Sequence, residues 1–136
     1  VILLLIPKTR KTGAIVVAAL AVDIVLCNGI LKPFIGRIRP CDINTSIQLL
    51  VARPDDFSFP SGHTAASFAA VAALYFAGEK MLWKPALILS CFIAFSRLYL
   101  YVHYPTDVLG GIIFGCLSGW LGYHIVKFAE GKKTVR

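Results

Sequence analysis

Residues 32–40 (KPFIGRIRP), 60–63 (PSGH) and 96–107 (SRLYLYVHYPTD) concentrate the chemistry of this 136-residue chain, each set among apolar neighbours. In the first, Lys32 and Arg39 stand seven residues apart, about two helical turns, so a helical segment would point both cations the same way. An arginine fork binds two phosphate oxygens at once, and lysine adds a compact charge on a flexible stem. In the second, Ser61 is a favoured helix cap and Gly62 lets backbone amides approach a ligand. Amides at a helix start attract anions, and His63 stands at the mouth of that nest. In the third, His103 and Asp107 are four residues apart, with Pro105 placed as the first residue of a new helix. A carboxylate bonded to one ring nitrogen fixes the tautomer and leaves the other nitrogen as an oriented base or nucleophile. Arg97 near the end of an apolar run costs roughly 2.5 to 3.5 kcal/mol unless paired, and a phosphate is a natural partner. These groups together are equipped to hold a phosphate and break its ester bond.

What must position them is read from the apolar runs. The chain is 57% hydrophobic and 15% charged, too apolar for a soluble fold of this size. Four stretches stand out, at 13–31, 64–78, 85–102 and 108–126. The first and last have 19 residues and the third 18, close to the roughly 20 that cross a bilayer as a helix. The second reaches that length if PSGH opens the same helix. Continuous apolar runs and internally closed backbone bonds call for helices rather than strands. The expectation is an all-α, multi-pass transmembrane helix bundle forming a single membrane-embedded domain over 1–136, with four full spans and an N-terminal stub. That stub, residues 1–6 ahead of a basic turn, has the wrong order for a signal peptide and reads as the tail of an earlier membrane helix.

Gly111, Gly115 and Gly119 recur every four residues in the last run, a smooth stripe that lets a neighbouring helix come close. Ala66, Ala70 and Ala73 offer a matching face on the second run. Contact between the two would bring His63 towards His103 and Asp107. The polar connection 41–59 is expected on the outer side as a substrate entrance or a packed connector, with 47–51 as a short surface helix. Asp23, in the middle of the first run, is expected to make a structural hydrogen bond.

Charge placement sets a topology. Lys8, Arg10, Lys11, Lys80, Lys84, Lys127, Lys132, Lys133 and Arg136 fall on one side of four alternating spans, which the positive-inside tendency makes cytoplasmic. The clusters then face the extracytoplasmic side of the cell membrane. A net charge of +7 would suit nucleic acid, but the cations divide between membrane flanks and clusters, so no nucleic-acid partner is expected. Cys27, Cys41, Cys91 and Cys116 are scattered without metal-ligand spacing, and neither a disulfide nor a zinc site is expected.

With Lys-x6-Arg-Pro, Pro-Ser-Gly-His and Ser-Arg-x5-His-x3-Asp in order, residues 31–107 resemble the type 2 phosphatidic acid phosphatase family of integral membrane lipid phosphatases. The resemblance implies that His103 attacks phosphorus to give a phosphohistidine, that Asp107 orients it, and that His63 protonates the leaving oxygen. It also implies that Lys32, Arg39, Ser61, Gly62 and Arg97 hold the phosphoryl oxygens, with no metal or other cofactor. Arg37, an added cation in the first motif, is either a second phosphate contact, which would favour a diphosphate, or a solvated charge. The expected partners are membrane lipids and a lipid phosphate substrate, foremost undecaprenyl diphosphate, with phosphatidylglycerol phosphate or phosphatidic acid as alternatives. Vanadium-dependent haloperoxidases carry similar clusters but are soluble, and a non-catalytic lipid-phosphate binder or transporter would bind without releasing phosphate.

Overall fold

The computed structural model describes residues 2–134, and every regular element among them is a helix. Val1 and Arg136 of the sequence reading lie outside the described residues, as does the side chain of Lys133. A short α1 (Ile2–Leu5) folds back through a 3-10 turn (Pro7–Thr9) onto α2 (Arg10–Asp23). There the Thr9 hydroxyl donates to the Leu3 carbonyl at 3.0 Å. The helix continues past α2 through a wider π-helical segment, Ile24–Leu31, into α3 (Lys32–Ile35). Pro33 has no N–H to donate and its ring crowds the carbonyl four residues back, which disfavours ordinary α geometry just ahead of it. The backbone answers with longer bonds, the Lys32 N–H reaching the Cys27 carbonyl five residues away. Gly36, with φ of 59°, then ends α3 in the left-handed region that glycine adopts without steric cost.

After a one-turn α4 (Pro40–Ile43) and a long connection come α5 (Gly62–Phe76), α6 (Trp83–Tyr99) and α7 (Pro105–Thr134). Helix α5 is the central one, packed by α2, α6 and α7. Its tightest partner is α7, and the expected glycine stripe is the reason. A Cβ on Gly115 would stand 2.3 Å from the Ala65 carbonyl oxygen, one on Gly111 2.8 Å from that of Ser61, and one on Gly119 2.5 Å from the Ala72 methyl. The backbones meet without side chains between them. The facing surface of α5 is Ala65, Ala69, Ala72 and Ala73, one position round from the expected Ala66 and Ala70, since Ala66 turns instead to a cavity. Gly122 repeats the device against α2, where its Cβ would lie 2.4 Å from the Ala19 nitrogen.

The outer surface is apolar. Phe92, Phe95 and Ile88 on α6 and Leu109 and Ile113 on α7 are all more than half exposed, a band suited to lipid rather than water. The run Pro7–Ile43 and the helix over Pro105–Lys132 are long and apolar enough to cross a membrane. Helices α5 and α6 stand where two further spans were expected and have 15 and 17 residues, shorter than those two runs. One other expectation changes. Residues 47–51 are not helical; the Asn44 side chain accepts from the Ser46 hydroxyl at 2.6 Å and turns the chain there. Asp23 is buried and bonds the Cys27 side chain four residues on, as expected, while its Oδ1 has no hydrogen-bond partner among the described residues.

The glycine contacts predict opposite outcomes along one helix. Gly115→Val should push α5 from α7 and lower stability by about 2 kcal/mol or more. Gly131→Ala, where a Cβ meets nothing within 4 Å, should raise helix stability by up to about 1 kcal/mol. Thermal unfolding in detergent separates the two.

Candidate active site

Lys32 leaves the end of the π-helical segment almost fully buried, and Arg39 follows the Gly36 turn into an extended stretch, 3% exposed. Charges so placed must be paired. Asp56, in the connection before α5, meets both, its Oδ2 bound by Lys32 Nζ and its Oδ1 by Arg39 Nη2 at 2.5 Å. Burial alone would raise the Asp56 carboxyl, but the bonds from Lys32 and Arg39 outweigh it and hold the group below the ordinary carboxylate range. Arg39 also donates from Nε to the Asp56 carbonyl (2.8 Å), from Nη2 to the Phe57 carbonyl (3.4 Å) and from Nη1 to the Val102 carbonyl (2.8 Å).

His103 is brought to this arginine by the way α6 ends. The helix stops at Tyr99, and Tyr101 takes φ of 58°, a left-handed position unusual for a non-glycine residue. The N–H of Tyr101 bonds the Leu98 carbonyl and that of Val102 the Arg97 carbonyl, closing a Schellman turn. The chain therefore doubles back, and His103 lines the same cavity as Arg97 instead of standing a helical rise beyond it.

Arg39 Nη1 lies 3.2 Å from His103 Nε2. A guanidinium can only donate, so Nε2 is the acceptor and the ring proton sits on Nδ1. That proton faces two oxygens at 3.5 Å, Asp107 Oδ2 and Ser58 Oγ. Asp107 is fully buried and held on both oxygens. Oδ2 accepts from the Ser58 hydroxyl at 2.5 Å and the Tyr104 N–H at 2.9 Å, and Oδ1 from Arg37 Nη1 at 2.8 Å. Because Pro105 opens α7, the Tyr104 bond is also the reciprocal half of a capping box. One carboxylate thus caps the helix and orients the histidine.

Helix α5 begins against this turn, the Ser61 N–H bonding the Asp107 carbonyl at 3.0 Å. Gly62 stands at the helix start, where a Cβ would make ordinary contact with Asn28 Oδ1 at 3.5 Å and Lys32 Nζ at 3.9 Å. A cavity of about 600 Å³ gathers Lys32, Arg39, Gly62, His63, Arg97 and His103. Arg97 donates to the Ser96 hydroxyl from Nε and Nη2 at 3.1 and 3.0 Å. Val51, Ala52 and Pro54 of the long connection form the far wall, and Arg53 pins that loop through the Cys41 carbonyl (2.5 Å) and Asp42 Oδ1 (2.8 Å).

Two expected contacts lie elsewhere. Ser61 is fully buried with its hydroxyl 3.0 Å from Thr64 Oγ1, drawn towards α7 by the close Gly111 packing and away from the cavity. Arg37 is not in the cavity wall either. It stacks 4.0 Å over the Tyr104 ring and donates to Thr106 Oγ1 and Asp107, because a buried carboxylate needs a compensating charge. Sequence reasoning missed Asn28, Asp56 and Ser58. The last two sit in the DDFSF run just before PSGH, and an acidic residue near a cluster of buried cations was the available signal.

Residues 12–130 match the PAP2 superfamily. An undecaprenyl-diphosphatase of Sulfolobus acidocaldarius is 30% identical over 97% of this chain and 64% of its own length. A lipid A 4'-phosphatase of Bacteroides thetaiotaomicron is 36% identical over 85% of the chain and 56% of its own. The crystal structure of a transmembrane PAP2-type phosphatidylglycerolphosphate phosphatase from Bacillus subtilis superposes with a TM-score of 0.69 at 31% identity, covering 96% of this chain and 64% of that one. The chain therefore spans about three fifths of these relatives. A transmembrane neighbour and two apolar helices of crossing length support a membrane location.

The network around Asp107 makes Ser58 accountable for more than its size. Ser58→Ala removes the hydroxyl bond to a fully buried carboxylate and should cost about 1 to 3 kcal/mol. Chemical or thermal unfolding in detergent would read that loss, and a stability unchanged from wild type would show the bond to be dispensable.

Proposed function

Because the chain belongs to the PAP2 superfamily, we propose that it is a membrane lipid phosphatase acting through a phosphohistidine. The observation that carries this is the convergence of His103, His63, Lys32, Arg39 and Arg97 on one cavity. His103 Nε2, its other nitrogen protonated towards Asp107, attacks phosphorus, and the P–O bond to the lipid breaks as the N–P bond forms. His63 gives its proton to the departing oxygen. Water then attacks the phosphohistidine and surrenders a proton to His63, so phosphate leaves and both imidazoles return to their starting states. Lys32, Arg39, Arg97 and the Gly62 backbone stabilise the charge that spreads over the phosphoryl oxygens in each transition state.

The substrate we assign is a polyprenyl diphosphate of the undecaprenyl class, in line with the named activity of the Sulfolobus relative. Phosphatidylglycerol phosphate and phosphatidic acid are the alternatives served by the same chemistry. Residues 1–136 act as one membrane-embedded domain in which the α2–α3 run, α5, α6 and α7 are four spans. The central α5, at 15 residues, rises about 22 Å, so the cavity at its start lies just inside the bilayer face. The basic flanks Lys8, Arg10, Lys11, Lys80 and Lys84 favour the opposite face as cytoplasmic, which supports an extracytoplasmic cavity.

Phosphate release from a panel of lipid phosphates in detergent tests the proposal. His103→Ala should leave no measurable turnover while lipid phosphate still binds. His63→Ala should slow turnover by about 10²- to 10⁴-fold, with a trapped phosphohistidine detectable when the leaving group is a good one. Turnover surviving His103→Ala would refute the mechanism.

A further inference from the structure

Arg39 has five N–H bonds to give, and the structure gives each an acceptor. Nε serves the Asp56 carbonyl, the Nη1 pair serves the Val102 carbonyl and His103 Nε2, and the Nη2 pair serves Asp56 Oδ1 and the Phe57 carbonyl. Lys32 Nζ is bound by the same Asp56 carboxylate. The two cations with least exposure in the cavity are thus already bridged by an internal anion. Its carboxylate oxygens span Lys32 and Arg39 as two oxygens of a phosphoryl group would. Asp56 is itself about half exposed, at 48% of its side chain, and lies in the connection that walls the cavity. It can therefore leave, whereas the Lys32 and Arg39 side chains are buried.

Resting on the phosphatase reading above, we propose that Asp56 sets the affinity threshold of the site: an internal anion that holds Lys32 and Arg39 until a more highly charged phosphate displaces it. A ligand must take Arg39 N–H groups and the Lys32 ammonium away from Asp56, so its apparent affinity falls by the fraction of molecules in which Asp56 has already let go. That factor is common to all anions and removes the weak ones from range first. A phosphodiester headgroup carries one negative charge, no more than Asp56, and the surrounding lipid offers it in excess. A terminal phosphate carries up to two, with more oxygens to share among Lys32, Arg39, Arg97 and the α5 start. The internal anion thus keeps bulk phospholipid out of the cavity while admitting terminal phosphates. With no ligand bound it also keeps Lys32 and Arg39 compensated, which buried cations require.

The test uses the whole chain in detergent with a short-chain lipid phosphate as substrate, and with inorganic phosphate and dioctanoyl phosphatidylglycerol as inhibitors. Asp56→Asn preserves shape and the backbone carbonyl that Arg39 binds but removes the charge. It should lower both inhibition constants and KM about tenfold, whereas Asp56→Glu should leave them within about twofold of wild type. A purely structural Asp56 predicts the reverse, with weaker inhibition and slower turnover in Asp56→Asn, and that result would overturn the proposal. If the asparagine variant does not fold, wild type decides: inorganic phosphate should speed amide exchange across residues 55–58 by freeing the loop, and slowed or unchanged exchange would overturn it. Absence of hydrolysis by wild type would defeat the phosphatase reading itself, whereas hydrolysis with unaltered inhibition constants in Asp56→Asn would defeat this inference alone.

Discussion

Backbone-to-backbone contact between α5 and α7 is the constraint from which the rest follows. Where Gly111, Gly115 and Gly119 meet the Ser61, Ala65 and Ala72 positions, a single methyl group would overlap the facing chain. The payoff of that closeness appears one turn above, where the Ser61 N–H reaches the Asp107 carbonyl. Two helices are thereby locked end to end at the level of the cavity, and His63 on one faces His103 beside the other. Lipid tails supply little hydrophobic drive between helices, so shape and backbone proximity carry the association.

Charge is organised around that lock in two halves. Behind His103, Arg37, Ser58 and the Tyr104 N–H satisfy Asp107; in front, Asp56 satisfies Lys32 and Arg39. In the rear half Asp107 and Ser58 are fully buried, as an orienting group should be. The front half includes a half-exposed carboxylate on a loop, as an exchangeable partner should. Arg39 belongs to both, since the same guanidinium touches Asp56 and the His103 nitrogen.

Much of this was legible in the residues themselves. The three clusters meet, Pro105 opens α7, and the glycine stripe faces α5, because these depend on local chemistry and on helical spacing that a sequence displays directly. Long-range exchange of partners was not legible. Arg37 stood open between a second phosphate contact and a solvated charge, and neither reading anticipates Tyr104 and Asp107 brought beside it. Ser61 looked like a ligand until α7 drew it inward. Asp56 and Ser58 passed unnoticed in a loop whose path no periodicity specifies. The failed surface helix at 47–51 has the same origin, a polar Asn44 turn outweighing an apolar run.

The π-helical segment before Lys32 has a consequence for how such a bundle can change. A bond that skips five residues absorbs one extra residue per turn, and each residue is worth about 100° of rotation. The lipid-facing stripe of α2 and the cavity-facing side of Lys32 therefore obey different angular phases, decoupled across Ile24–Leu31. Ordinary winding of that segment with no residue lost would turn the ammonium group by about 100°, out of the cavity, whereas ordinary winding with one residue deleted would leave its direction nearly unchanged.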